Sequence, residues 1–246
     1  MPKLANTQNQ IAGTKFTYQA ARIGDLGATE YTLVTVAVDL SGSVAGFERE
    51  LRDMLSAVVD ACRKSPRSDN LLLRVELFSG SYRGVHELHG FTPLAQIDPQ
   101  SYPDFRPGGL TPLYDATFSA VGATVDYGGD LSANDFLANG IVFIITDGDD
   151  NESTATPAMI RGQIEKARQE EKLESLVTIL VGINAAQYRS YHDQFVRETG
   201  IDGYRDAQDA TPQNLAKLAR FVSQSVSSQS QALGTGGPSQ NISATI

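Results

Sequence analysis

Apolar positions along the chain follow two patterns, and the first is continuous. Residues 31–38 (YTLVTVAV), 71–78 (LLLRVELF), 141–146 (IVFIIT) and 176–182 (LVTILVG) are nearly unbroken apolar runs rich in Val, Ile and Leu. Such runs predict strands buried on both faces. The second pattern is helical and lies between the runs. Phe47, Leu51, Met54, Leu55, Val58, Val59 and Cys62 recur at three- and four-residue spacing, which predicts an amphipathic helix over 47–61 with Cys62 as a small core residue on its apolar side. Thr111 and Pro112 suit the start of a second helix over 113–125, where a capping hydroxyl and a proline are tolerated. Three more helices are expected over 157–171, over 187–199 and from about 211 to 228. Strands alternating with helices predict an α/β fold, a mostly parallel sheet with helices on both faces. Residues 82–90 follow the second run through only Ser79-Gly80-Ser81, too short for a parallel crossover, so that pair is expected to be antiparallel. Asn139-Gly140 reads as a turn ahead of the third run. Residues 1–28 are expected to be a peripheral segment, 29–230 the domain and 231–246 a flexible tail.

Composition narrows the partners. The chain has 246 residues, 29 acidic against 20 basic side chains, a formal charge of −9 and one cysteine. Phosphate binding needs clustered Lys and Arg, so nucleic acid is not the expected partner. No apolar run approaches the ~20 residues that span a bilayer, and a membrane is not expected either. A lone cysteine and a polar start (MPKLANTQNQ) favour a reducing compartment such as the cytoplasm.

In open α/β sheets ligands bind beyond the carboxyl ends of the strands, and there the chemistry collects. The first run leads into Asp39-Leu40-Ser41-Gly42-Ser43, and the third ends in Thr146-Asp147-Gly148-Asp149. Pro107-Gly108-Gly109-Leu110-Thr111-Pro112 brings another hydroxyl before a helix. Oxygen donors carrying little charge suit a hard divalent cation such as Mg²⁺, with Mn²⁺ or Ca²⁺ also compatible. The D-x-S-x-S run, the G-G-x-T-P-L-Y-D-A segment and the strand-ending T-D-G, in this order, resemble the von Willebrand factor type A domain over about residues 31–226. All five positions of that family's metal-ion-dependent adhesion site are present. The resemblance implies a Rossmann-like, doubly wound, mostly parallel sheet of six strands with one antiparallel edge strand. It also implies that Ser41, Ser43 and Thr111 bind the ion directly or through water, that Asp39 and Asp147 hold it largely through water, and that a partner protein's Asp or Glu completes the shell. The ending FVSQSVSSQSQ resembles stand-alone bacterial type A proteins of tellurite-resistance and related stress systems, some of which work beside AAA+ ATPases.

Other chemistries match less well. A haloacid-dehalogenase-type phosphohydrolase using Asp39 needs a second acid two residues on, where Ser41 stands. A serine hydrolase needs G-x-S-x-G, and a phosphate loop needs G-x-x-x-x-G-K-[ST]; neither motif occurs. Asp147, Asp149 and Asn151 begin like a calcium loop, but Glu152 stands where an EF-hand needs Gly, so 149–151 reads as a solvated acidic loop. Asp115 reads equally as a helix-terminal charge or as support for the metal site. His86 and His89 are expected on opposite faces of a strand and His192 on an exposed helix, all three as surface residues. Arg63, Lys64 and Arg67 complement the end of the first helix. Tyr102, Phe105 and Tyr114 either ring the site or pack beneath its loops. The expected function is a non-enzymatic, metal-dependent protein-interaction module; the alternatives are a metal-dependent phosphohydrolase using Asp39 and a structural subunit with incidental metal.

Overall fold

The apolar runs become the centre of a sheet. The computed structural model describes residues 6–234. In it β3 (Glu30–Asp39), β4 (Leu71–Ser79), β6 (Leu137–Thr146) and β7 (Ser175–Gly182) pair in parallel in the order β4-β3-β6-β7. Their side chains alternate between two cores, as the pleat requires. Val34, Val36, Val38, Val75, Leu77, Phe143 and Ile145 face α1 (Glu48–Arg63) and α5 (Pro212–Gly234). Leu33, Ala37, Leu72, Val142, Ile144 and Leu180 face α2 (Leu113–Ser132), α3 (Pro157–Gln169) and α4 (Arg189–Thr199). Cys62 is buried within the first core.

Among the described residues the sheet has eight strands, against the six that the resemblance implies and the five that the pattern places along the chain; the order is β1-β2-β5-β4-β3-β6-β7-β8, and three strands are additions to those five. One addition is β8 (Gly203–Asp206), a four-residue polar edge strand parallel to β7 that no apolar run announces. The other two come from the segment expected to be peripheral. β1 (Asn6–Gln10) and β2 (Thr17–Ala21) form a hairpin, and β2 pairs in parallel with β5 (Gly84–Pro93) at Ala20 and Phe91. As expected, β5 is antiparallel to β4, but it lies inside the sheet rather than at its edge. The physical reason is α2. It is rich in apolar and small residues and is buried nearly all the way round, and such a helix must be covered on more than one side. Ile11, Tyr18 and Ala20 supply that cover, and the Tyr127 hydroxyl donates to the Ala21 carbonyl at 2.7 Å.

Other expectations are corrected locally. Asn139-Gly140 lies within β6; the preceding turn falls at Asp135, which takes a left-handed φ of 63°. Asn139 instead donates its amide to the Gln229 carbonyl of α5 at 2.9 Å, and Gly140 lets α2 approach, since a Cβ there would meet Thr124 Cγ2 at 2.7 Å. Helix α2 runs seven residues past 125. Helix α5 continues through Gly234, so 231–234 are helical, and 235–246 lie outside the described residues. Arg63 donates to the Leu94 and Ile97 carbonyls and Arg67 pairs with Glu30, so the basic end of α1 is fastened to the body. The run LLLRVELF carries two charges inside the sheet. Arg74 and Glu76 are fully buried, 2.7 Å apart, with Glu87 at 2.7 Å from Arg74 and the Ser119 hydroxyl donating to Glu76 at 2.8 Å.

Candidate functional site

β3 and β6 are neighbouring parallel strands, so their carboxyl ends deliver Asp39 and Asp147 to the same edge of the sheet. Asp39 is 1% exposed. One of its oxygens accepts from the Ser41 backbone N–H at 2.7 Å, and the other from the Thr146 hydroxyl at 2.6 Å. The Ser43 hydroxyl donates to Asp147 Oδ1 at 2.7 Å and lies 3.0 Å from the Ser41 hydroxyl. A hydroxyl has one proton, and that of Ser43 is given to Asp147, so Ser41 donates to Ser43. Asp39, Ser41, Ser43 and Asp147 thus form one connected set, running from the buried Asp39 to the exposed Ser43.

Thr111 arrives by a different route. The Gly42 N–H donates to the Gly109 carbonyl at 3.1 Å, Gly108 to the Leu40 carbonyl at 3.0 Å, and Gly80 to the Leu110 carbonyl at 2.8 Å. These bonds lay the 107–112 loop across the ends of β3 and β4. Gly109 takes φ +74°, and a Cβ there would stand 2.6 Å from the Ser81 nitrogen, so only glycine allows this approach. Thr111, on this loop, is buried and tied by its backbone, while its hydroxyl stands outside the hydrogen-bond chain of the other four residues.

The fastening of Thr111 comes from the loop read as solvated and acidic. Asn151 Oδ1 accepts from the Thr111 N–H at 2.7 Å, and the Asn151 N–H donates to the Thr111 carbonyl at 3.1 Å. Asp150 accepts from the Tyr114 N–H at 3.1 Å and the Ser153 hydroxyl from the Asp115 N–H at 2.9 Å, so this loop caps the otherwise unpaired amides that open α2. Asp115 reciprocates, accepting from the Thr154 and Ala155 N–H groups at 3.0 and 2.7 Å. The signal for this was Asp-Asn-x-Ser in the loop after β6, residue types that cap helices, but the residue Asn151 fastens lies 40 positions away.

Burial pushes the Asp39 carboxyl up from 3.8 to about 6 against the lowering pull of its Thr146 and Ser41 hydrogen bonds, and the charged neighbour that adds to the rise is Asp147. Burial also raises Asp147, opposed by its bond from Ser43. Both carboxylates are desolvated and take these hydrogen bonds from hydroxyl and backbone N–H donors rather than from a cation. Among the described residues no cluster of three or more His, Cys, Asp or Glu could hold a metal, so a cation here would rely on the hydroxyls. The donor chemistry fits Mg²⁺: hard oxygens only, two of them on carboxylates that a dication would keep ionised.

No protein-family model matches the chain, and no curated protein matches it. Solved structures do. The pilus adhesin SpaC from Lactobacillus rhamnosus GG superposes with a TM-score of 0.60 at 11% identity, over 91% of this chain and 33% of its own. The PilB minor pilin from Streptococcus sanguinis gives 0.58 at 12% identity, over 89% and 66%. Proximal thread matrix protein 1 from the mussel byssus gives 0.51 at 15%, over 81% and 47%. The likeness shows the fold alone. The chain spans about a third of SpaC and about half of the byssus protein.

Residues predicted near the site but outside it are also placed. Tyr102 and Phe105 are buried in the core against α1, beneath the loops, and Tyr114 stacks on Phe195 with ring centroids 5.3 Å apart. His86 is exposed and stacks on Tyr82 at 5.4 Å. His89 is half-buried, with Nε2 2.9 Å from the Tyr102 hydroxyl; the ladder slips opposite Val75, so the strict alternation assumed for the two histidines does not hold. His192 is fully buried, not exposed, and contacts the site's Asp147-Gly148 turn. No helix among the described residues is long and apolar enough to cross a membrane.

Proposed function

We propose that this chain is a divalent-cation-dependent protein-interaction module of the von Willebrand factor type A kind, built on a Rossmann-like, doubly wound sheet. The observation that carries the reading is the connected set of Asp39, Ser41, Ser43 and Asp147 at the carboxyl ends of two adjacent strands, with Thr111 on the loop that crosses the ends of β3 and β4. Mg²⁺ would be held by the hydroxyls of Ser41, Ser43 and Thr111, with Asp39 and Asp147 compensating its charge. When bound, the ion supplies a strong electrophile to which a partner's Asp or Glu coordinates. The hydroxyls neutralise none of its charge, so specificity for a carboxylate follows from electrostatics in a partly desolvated site.

The burial of Asp39 favours this reading over a phosphohydrolase using it as nucleophile. Both oxygens of Asp39 accept hydrogen bonds and the side chain is buried, whereas a nucleophile needs an oxygen open to the substrate. The adhesin, pilin and byssus proteins with this fold suggest a role in adhesion or assembly, and the stress-system resemblance suggests an AAA+ or other stress-system partner; both are served by carboxylate capture.

The test is recovery of partners on immobilised protein with Mg²⁺, with EDTA, and with Asp39→Ala in Mg²⁺. A partner retained only in the first lane, and lost when its own acidic residue is replaced, supports the mechanism. Equal recovery in all three lanes overturns it.

A further inference from the structure

We infer that His192 is a positioning residue for the candidate metal site, holding the turn that carries Asp147. This rests on the metal-dependent reading above. His192 lies on α4, is 0% exposed, and places Nε2 2.8 Å from the Gly148 carbonyl oxygen, one residue beyond Asp147. A carbonyl only accepts, so Nε2 carries the proton. The turn is then held at three points. Thr146 donates to Asp39 at 2.6 Å while accepting from the Gly148 N–H at 3.2 Å; Asp147 accepts from Ser43 at 2.7 Å; and Gly148 accepts from His192. The first two fastenings are made by the candidate ligands themselves. The third reaches the turn from a helix that carries none of them.

The surroundings of the ring sharpen the assignment. His192 packs among Tyr188, Tyr191 and Tyr204, with ring centroids 6.4, 5.9 and 5.1 Å away. In this cage Nδ1 is buried without a hydrogen-bond partner among the described residues. A phenyl ring would fill the same cage and bury no unpaired nitrogen. What imidazole adds over phenyl is therefore the bond to Gly148. Removing it leaves a buried carbonyl unpaired beside Asp147, and the turn can recover that bond only by rotating, which takes the carboxylate away from Ser43. Partners outside the ligand shell that orient metal-binding groups typically change affinity 10–100-fold when lost.

The experiment is a Mn²⁺ titration, with free Mn²⁺ read by its paramagnetic resonance signal, on the whole chain and on His192→Phe, His192→Gln and Asp39→Ala. Urea midpoints of each protein in EDTA report packing separately. His192→Phe is expected to weaken Mn²⁺ binding about tenfold while keeping its midpoint. His192→Gln, whose amide N–H takes the place of Nε2–H, is expected to bind within about threefold of the parent even where its poorer fit to the cage lowers the midpoint. If His192→Phe does not fold, His192→Leu serves in its place. Mn²⁺ affinity in the apolar variant within twofold of the parent, or His192→Gln as weak as that variant, overturns the positioning role while leaving the metal site standing. A parent that binds Mn²⁺ no better than Asp39→Ala overturns the metal reading and this inference with it.

Discussion

Asp39→Asn tests directly whether the site is short of positive charge. In the metal-free protein the carboxyl of Asp39 is raised from 3.8 to about 6, burial being the leading cause. A carboxyl raised on folding stabilises the fold while it is protonated, below its unfolded value, and that contribution is lost as pH rises through the folded value. At about 1.4 kcal/mol per pH unit, the ionised, buried Asp39 costs the metal-free fold about 3 kcal/mol at pH 7.5 relative to pH 3.5. Asparagine avoids that cost. It keeps the acceptor for the Ser41 N–H, but turns an NH₂ towards Thr146, whose hydroxyl then loses its acceptor; that loss is worth about 1 kcal/mol. In EDTA at pH 7.5 the variant is therefore expected to be more stable than the parent by about 2 kcal/mol, with the gap closing or reversing by pH 4. Urea denaturation across pH 4–8 reads the difference and cancels the other titrating groups. Mg²⁺ at 100 times its Kd should add about 2.7 kcal/mol to the parent alone, reversing the order. An asparagine variant no more stable than the parent in EDTA at pH 7.5, or a gap that does not move with pH, refutes the reasoning.

Other outcomes follow from the same geometry. Arg74→Met leaves the buried Glu76 and the half-buried Glu87 without their cation and should cost about 3–5 kcal/mol in urea denaturation; a loss under about 1 kcal/mol would show that the buried carboxylate is already neutral. Tyr127→Phe removes the donor to the Ala21 carbonyl and should cost about 1–3 kcal/mol, and amide hydrogen exchange in 17–21 should rise with it. Unchanged protection there would mean the hairpin docks without that bond. Gly109→Ala forces a Cβ against Ser81 at a left-handed φ, and should cost more than about 1 kcal/mol while weakening Mn²⁺ binding through the displaced Thr111; full affinity in a destabilised variant would separate Thr111 from the metal.

The centre of this protein was legible in the sequence. Continuous apolar runs have one stable place in a soluble fold, between two helical layers, so β3, β4, β6 and β7 and the helices beside them follow from pattern alone. The antiparallel turn of β5 followed from loop length. The candidate residues were legible because strand ends in a parallel sheet share an edge, which brings Asp39 and Asp147 together although 108 positions separate them.

What the sequence did not disclose depends on neighbours distant in the chain. The hairpin β1–β2 is polar on its outer strand and earns its place only because α2 needs cover; β8 is too short and polar to signal itself. Asn139-Gly140 has turn chemistry, yet a helix crossing close to the sheet takes the glycine and α5 takes the amide. Asp150, Asn151 and Ser153 look like a solvated loop until the start of α2 is placed against them. His192 sits on a helix that reads as exposed, and only the packing of α4 over the Asp147 turn brings its ring to Gly148. Local pattern decides which residues are buried in a strand or helix; which polar group meets which is decided by tertiary packing, because a hydrogen bond depends on a partner's position to within a few tenths of an ångström.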